Sequence, residues 1–170
     1  MTETSAETTA GPVTGITVPI RMEYRYTPGA AQSQFLRGMK EGHFQGRRCP
    51  SCQKVYFPPR GGCSMCGVEF AEAVDIADTG TVATYTVVNV NFANRAIELP
   101  YVAAEVVFDG ADITTSVLLR GVEVDQVRQG MRVKAVWLPK EQWDYSMSNI
   151  EHVEPIDEPD ADYETYKELV

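Results

Sequence analysis

Every cysteine in this chain belongs to one of two C-x-x-C pairs, Cys49-Pro50-Ser51-Cys52 and Cys63-Ser64-Met65-Cys66, with ten residues between them. Two residues between cysteines let a tight turn aim both sulfurs at one atom. A second such turn, brought alongside by a short hairpin, completes a tetrahedron of thiolates. Pro50 pre-sets the backbone of the first turn, and Gly67 can take the positive φ that closes the second. Gln53 stands where the first turn would be expected to carry a glycine. The pattern predicts a metal site with Cys49, Cys52, Cys63 and Cys66 as ligands, filled by a structural Zn2+. Cysteines this close pair poorly as disulfides, and a thioredoxin-type redox site needs one such pair on a βαβ pattern that is absent here. Iron in a rubredoxin-type site uses the same four ligands, so that alternative stays open; availability and the closed geometry favour zinc. Four thiolates leave no open coordination position, which makes the site a staple and not a reaction centre.

A chain of 170 residues with 44% hydrophobic content suits one main domain with a small module attached. The formal charge of −9 argues against a protein that grips nucleic acid by general electrostatics. That average hides a local excess: Arg37, Lys40, Arg47, Arg48, Lys54 and Arg60 are opposed in their stretch only by Glu41. No run of apolar residues is long enough to span a membrane. The segment from Met1 to Gly15 has neither a basic start nor an apolar core, so it reads as a solvated tail and the expected location is cytoplasmic.

In chain order, residues 1–29 are expected to form a flexible arm, with Tyr24 and Tyr26 alternating around Arg25 and Pro28-Gly29 ending it. Residues 30–46 carry a short helix, Ala30 to Glu41, with Phe35, Leu36 and Met39 on one face and Gly42 as terminator. So short a helix cannot persist alone, and its stripe must dock on the main domain or on another protein; it is the candidate docking helix. The zinc ribbon is assigned to 47–70, with a strand at Val55 and with Tyr56 and Phe57 as packing residues. His43 is expected in a loop, not as a fifth ligand.

Residues 71–154 carry five strands, expected at Gly80–Val88, Tyr101–Phe108, Ile113–Leu119, Met131–Leu138 and about Met147–Val153. Asp109-Gly110 marks a tight turn, Asn89 to Glu98 a polar loop, and Gly121 to Gln129 a short helix or loop between the third and fourth strands. That layout is the layout of an OB-fold barrel, so the fold class is mainly β. Residues 155–170 are an acidic tail, loose or docking on a partner, with Tyr163, Tyr166 and Leu169.

The series C-P-x-C, Pro58-Pro59-Arg60, C-x-x-C-G, Gly80-Thr81-Val82, Pro100-Tyr101 and Gly130-Met131-Arg132-Val133 resembles the DUF35 family from about Phe35 to Val153. The resemblance implies a rubredoxin-like zinc ribbon joined to an OB-fold. It also implies an accessory subunit of acyl-CoA metabolism, paired with thiolase-like enzymes such as lipid-transfer-protein (SCP2-type) thiolases and aldolases that cleave steroid side chains. A heterotetramer around a dimeric thiolase-like core is the expected assembly.

The residues agree with a non-catalytic role. Every cysteine is committed to metal, the two histidines are His43 and His152, and no Ser/His/Asp set or phosphate loop is evident. Arg47, Arg48, Lys54 and Arg60 are expected to face the phosphates of a CoA thioester shared with the partner, or the partner's acidic rim; solubilising surface charge is the ordinary alternative. Single-stranded nucleic acid is the competing ligand class, since ribbons and OB-folds both bind it elsewhere, but the acidic total charge disfavours it.

Overall fold

The computed structural model describes residues 11–90 and 97–169. Most of the expected polar loop 89–98 and the first ten residues of the arm lie outside these. Residues 11–28 belong to no helix or strand, and all but Pro28 are exposed.

Helix α1 spans Ala30–Glu41. Gly42 ends it with φ 79°, and the His43 N–H reaches back to the Gly38 carbonyl at 2.8 Å. A Cβ at Gly42 would stand 2.8 Å from the Trp143 ring, so packing as well as conformation requires glycine there. The buried Asn149 side chain completes the cap, donating from Nδ2 to the Met39 carbonyl at 3.0 Å.

Next comes a three-stranded antiparallel sheet in which β1 (Gln45–Arg48) lies between β2 (Val55–Tyr56) and β3 (Glu72–Asp75). The ribbon's sheet therefore reaches beyond the expected 47–70 at both ends. β1 and β3 carry no period-2 run of apolar residues, which is why they escape a pattern search.

Five strands close a barrel: β4 (Thr79–Val88), β5 (Tyr101–Phe108), β6 (Thr115–Leu119), β7 (Arg132–Trp137) and β8 (Ile150–Pro155), in the order β4-β5-β6-β8-β7. This is the expected OB-fold. β4 serves two neighbours, pairing with β5 along its length and with β7 through Thr79–Thr81. The close approach of the strands requires a glycine there, since a Cβ at Gly80 would meet the Val107 carbonyl at 2.7 Å. A register shift between Val82 and Thr84 adds the curvature that closure needs. The last strand starts later than its pattern suggested, because Met147–Asn149 form a 3-10 turn that places Asn149 under α1. The stretch between β6 and β7 holds one 3-10 turn, Val124–Gln126.

Helix, ribbon and barrel share one core. Phe57 stacks on Phe44 at 4.9 Å and meets Phe108 edge-on at 5.4 Å and Phe35 edge-on at 5.7 Å. Two polar links reinforce the junction: Asp112 accepts from the Val55 N–H at 2.7 Å, and Thr115 donates to the Phe57 carbonyl at 2.8 Å.

Two expectations need correction. Phe35 is 3% exposed and Met39 0%, so of the two alternatives these residues of the α1 stripe dock on the protein's own core, with Leu36 half-buried beside them. The acidic tail is not loose either: it lies against the barrel at several points along its length. Arg128 forks onto Asp160, Arg132 donates to Glu158 at 2.9 Å, and Tyr166 is 5% exposed. The pattern concealed this because the arginines that hold the tail lie about thirty residues upstream.

Arg132 also grips Asp109 through two hydrogen bonds of 2.6 and 2.8 Å, and its guanidinium holds the Asp109 carboxyl below the usual carboxylate range. A depressed folded-state pKa contributes stability above the unfolded value, near 3.9, and loses it as pH falls through the folded value. Asp109→Asn should therefore cost about 1–2 kcal/mol at pH 7, discounted for partial exposure, with the gap from wild type closing in acid. Urea unfolding at pH 7 and pH 3 reads this. Met39→Ala should cost about 2–5 kcal/mol in the same assay, the cost of a core cavity.

Candidate metal centre and its surroundings

The two cysteine turns are built alike. In the first, the Cys49 N–H donates to the Lys54 carbonyl at 2.9 Å and the Gln53 N–H to the Cys49 carbonyl at 3.0 Å. In the second, the Cys63 N–H donates to the Val68 carbonyl and the Gly67 N–H to the Cys63 carbonyl, both at 2.9 Å. Each turn needs a left-handed residue at its fifth position. Gly67 takes φ 68°, and Gln53 takes φ 64° despite its side chain. The Gln53 amide helps, donating from Nε2 to the Pro50 carbonyl at 2.9 Å.

These turns bring the four sulfurs together, all within 4.8 Å of one another. Cys52 and Cys63, from different turns, have their Sγ atoms 3.7 Å apart. Tetrahedral zinc with bonds of about 2.3 Å requires sulfurs roughly 3.8 Å apart, so the separation fits the ion. Cys49 and Cys63 are buried, while Cys52 and Cys66 face outward. Tyr56 and Phe70 close the apolar side, with ring centroids 5.0 Å apart. The Tyr56 hydroxyl lies 3.5 Å from Cys63 Sγ, and this hydrogen bond is the main reason that the Cys63 thiol is lowered to about 6. At Cys52 the Lys54 backbone N–H pulls the thiol down, but desolvation and the neighbouring thiols outweigh it and push it up to about 11. A metal that takes all four sulfurs as thiolates must displace the protons that they carry.

The four basic residues singled out with this module do not form one cradle. Arg47 and Arg48 are consecutive on β1, so they project to opposite faces. Arg47 bonds to Gln34 of α1 and lines a hollow of about 310 Å³ with Gly61, Glu69 and Phe70. Arg48 donates to the Gln53 carbonyl at 3.1 Å and pairs with Glu72 at 3.6 Å. Lys54 lies in another hollow, of about 250 Å³, with Asp112, Glu164 and Glu168. Arg60 is exposed. Sequence proximity grouped charges that the ribbon's pleat and hairpin then separate.

His43 is exposed in the turn after α1, as expected, and away from the sulfurs. His152 is mostly buried on β8, with its Nδ1 3.8 Å from Glu151. The ion-pair network of Arg132 with Asp109 and Glu158 was missed; its one trace in the sequence is an arginine at the start of the otherwise apolar-patterned β7.

Replacing Cys63 with serine should abolish stoichiometric metal binding and lower thermal stability. Chelation should do the same, and acidification should speed metal loss because the thiolates reprotonate. Elemental analysis alongside thermal unfolding checks all three outcomes.

Comparison with known proteins agrees with this architecture. Residues 37–71 match the family model of the ChsH2 rubredoxin-like zinc ribbon domain, and residues 73–138 that of the ChsH2 C-terminal OB-fold domain. A "DUF35 domain-containing scaffold protein" of Methanocaldococcus jannaschii is 37% identical over 95 residues, spanning 54% of this chain and 65% of that one. A "Probable enoyl-CoA hydratase alpha subunit" of Thermomonospora curvata is 33% identical over 93 residues, 54% of this chain but only 28% of that protein. Among solved structures, a chain of the Ltp2-ChsH2(DUF35) aldolase superposes with TM-score 0.55 at 25% identity, covering 77% of this chain and 98% of that one. A DUF35 protein of unknown function from Sulfolobus solfataricus shares the fold, with TM-score 0.57 at 22% identity over 76% of this chain and 87% of that one. The two ChsH2 domains follow each other here in the order that the ribbon and the barrel require, and the chain belongs to the DUF35 family.

Proposed function

We propose that this chain is a non-catalytic accessory subunit of a thiolase-like, lipid-transfer-protein-type acyl-CoA enzyme, and that it supports carbon–carbon bond cleavage by retro-aldol reaction or thiolysis. The observation that carries this reading is the match to 98% of one chain of a two-component aldolase. The metal centre supports it from the side of chemistry: the four cysteines converge on one site, and filling it with zinc leaves no thiolate free to act as nucleophile. Zinc there acts as a structural staple. The partner brings the reacting groups, and this chain brings a rigid surface.

The narrower elements of the reading are a cytoplasmic heterotetramer on a dimeric thiolase-like core, and a steroid side-chain acyl-CoA as substrate. Both rest on the family resemblance. A CoA contact suits Arg47 and Arg60 better than the other two basic residues, because Arg48 is paired with Glu72 and Lys54 sits among tail carboxylates.

Reconstitution tests this. Co-expression with the thiolase-like subunit from the same host should give a stoichiometric complex, and acyl-CoA cleavage should depend on this chain. A partner that is equally active alone, or no complex at all, would overturn the reading. Arg47→Ala and Arg60→Ala should each raise KM for the acyl-CoA about fivefold with kcat unchanged, the loss of about 1 kcal/mol from one exposed charge contact.

A further inference from the structure

The N-terminal arm has a pattern that neither the ribbon nor the barrel uses, and it lies outside both matched domains. From Ile16 to Tyr26 every even-numbered residue is apolar: Ile16, Val18, Ile20, Met22, Tyr24 and Tyr26. The odd positions hold Thr17, Pro19, Arg21, Glu23 and Arg25. This is strict period-2 alternation, the signature of a strand with one buried face. Two contacts between residues two apart fit that alternation: Arg21 pairs with Glu23 at 2.6 Å, and the Tyr24 and Tyr26 ring centroids lie 6.2 Å apart.

Among the described residues, this segment is tied to the rest of the chain at its end, where Gln32 Nε2 donates to the Tyr26 hydroxyl at 3.3 Å. Its apolar side chains stand in solvent, Ile16 81% and Ile20 79% exposed, and residues 11–27 make no backbone hydrogen bond to any described residue. Six exposed apolar side chains in a row, on unpaired backbone, form an interaction surface.

Pro19 identifies which edge is used. In a strand, the N–H and C=O of alternate residues point to opposite edges. Pro19 removes a donor from the odd edge, whereas the even edge carries an unbroken series of N–H and C=O groups from residue 16 to residue 26. Proline is tolerated in a strand on the side that faces solvent. The arm is therefore suited to be a terminal strand, paired through its even residues and closed to further growth on its other side.

We propose that Ile16–Tyr26 adds as an edge strand to an open sheet edge of the partner enzyme subunit, laying its apolar side chains into an adjoining apolar strip; this rests on the accessory-subunit reading above. The strand reaches about 36 Å. Its backbone supplies affinity and the pockets for alternate side chains supply selectivity. A second copy of the arm is a poorer occupant. Two arms paired together form a two-stranded ribbon whose apolar face is still in water, and such ribbons are marginal. A sheet that already has an apolar layer beneath it covers that face.

The test uses the full chain and the purified thiolase-like subunit from the same host, titrated calorimetrically. Met22→Pro, on the paired edge, should weaken binding about tenfold more than Met22→Ala, whereas Glu23→Pro, on the outer edge, should stay within about threefold of the unaltered chain. In the complex, hydrogen exchange should slow at Val18, Ile20, Met22 and Tyr24 and not at the residues between them. A chain lacking residues 1–26 that binds the partner as tightly as the full chain overturns this inference and leaves the accessory role standing. A full chain that binds no thiolase-like partner overturns both. Arm amides protected already in the isolated chain, or a homodimer that the deletion abolishes, would make this chain or its copy the occupant and also overturn the inference.

Discussion

The structure depends on what Phe57 does at the end of β2. Its ring is fully buried, and it touches Phe35 from the helix, Phe44 from the lead into the ribbon and Phe108 from the barrel. A ribbon with a two-residue strand and a twelve-residue helix cannot bury enough apolar surface to be stable separately. Sharing one aromatic junction makes them part of the barrel's core. The reciprocal bonds of Asp112 with Val55 hold the same seam from its polar side, since the Asp112 N–H also donates to the Val55 carbonyl at 2.8 Å. The metal module is thereby a fixed extension of the barrel.

The cysteine turns add a second, independent constraint. Their repeated hydrogen-bond scheme fixes the four sulfurs relative to each other, while Tyr56 links that cluster to the strand leading to Phe57. The electrostatics that hold the tail work differently. Arg132 lies between the β5–β6 turn and the tail, so a single guanidinium couples Asp109 to Glu158. With Arg128 on Asp160, it turns an acidic terminus that would otherwise repel itself into a strap along the barrel.

This arrangement separates three surfaces by character. Tail carboxylates flank Lys54, the ribbon presents Arg47 and Arg60, and the arm carries an apolar strand face. A subunit that completes a larger enzyme needs surfaces of this kind more than it needs a reactive group. The family's pairing of ribbon and barrel supplies the rigid body on which they are held.

Much was legible in the sequence because it rests on local spacing. Two residues between cysteines dictate a metal knuckle, alternation and β-branching dictate β4 and β5, and Asp109-Gly110 dictates a turn. The four cysteines and the succession of five strands along the chain followed from these, while the order in which the strands pair was not given by them. Local spacing could not say which face a helix presents, and α1 showed this. Its stripe was visible, but only the chain's return through Phe57 and Asn149 decided that Phe35 and Met39 serve the protein's own core. The basic residues are dispersed for the complementary reason. Charges adjacent in sequence were sent to opposite faces by the pleat, and one was placed among carboxylates that lie far along the chain. The tail, too, was decided by arginines on the barrel. Local geometry is written in nearest neighbours, and the sequence determines it directly; which surfaces meet depends on contacts between distant segments, and those exist only once the chain has closed on itself.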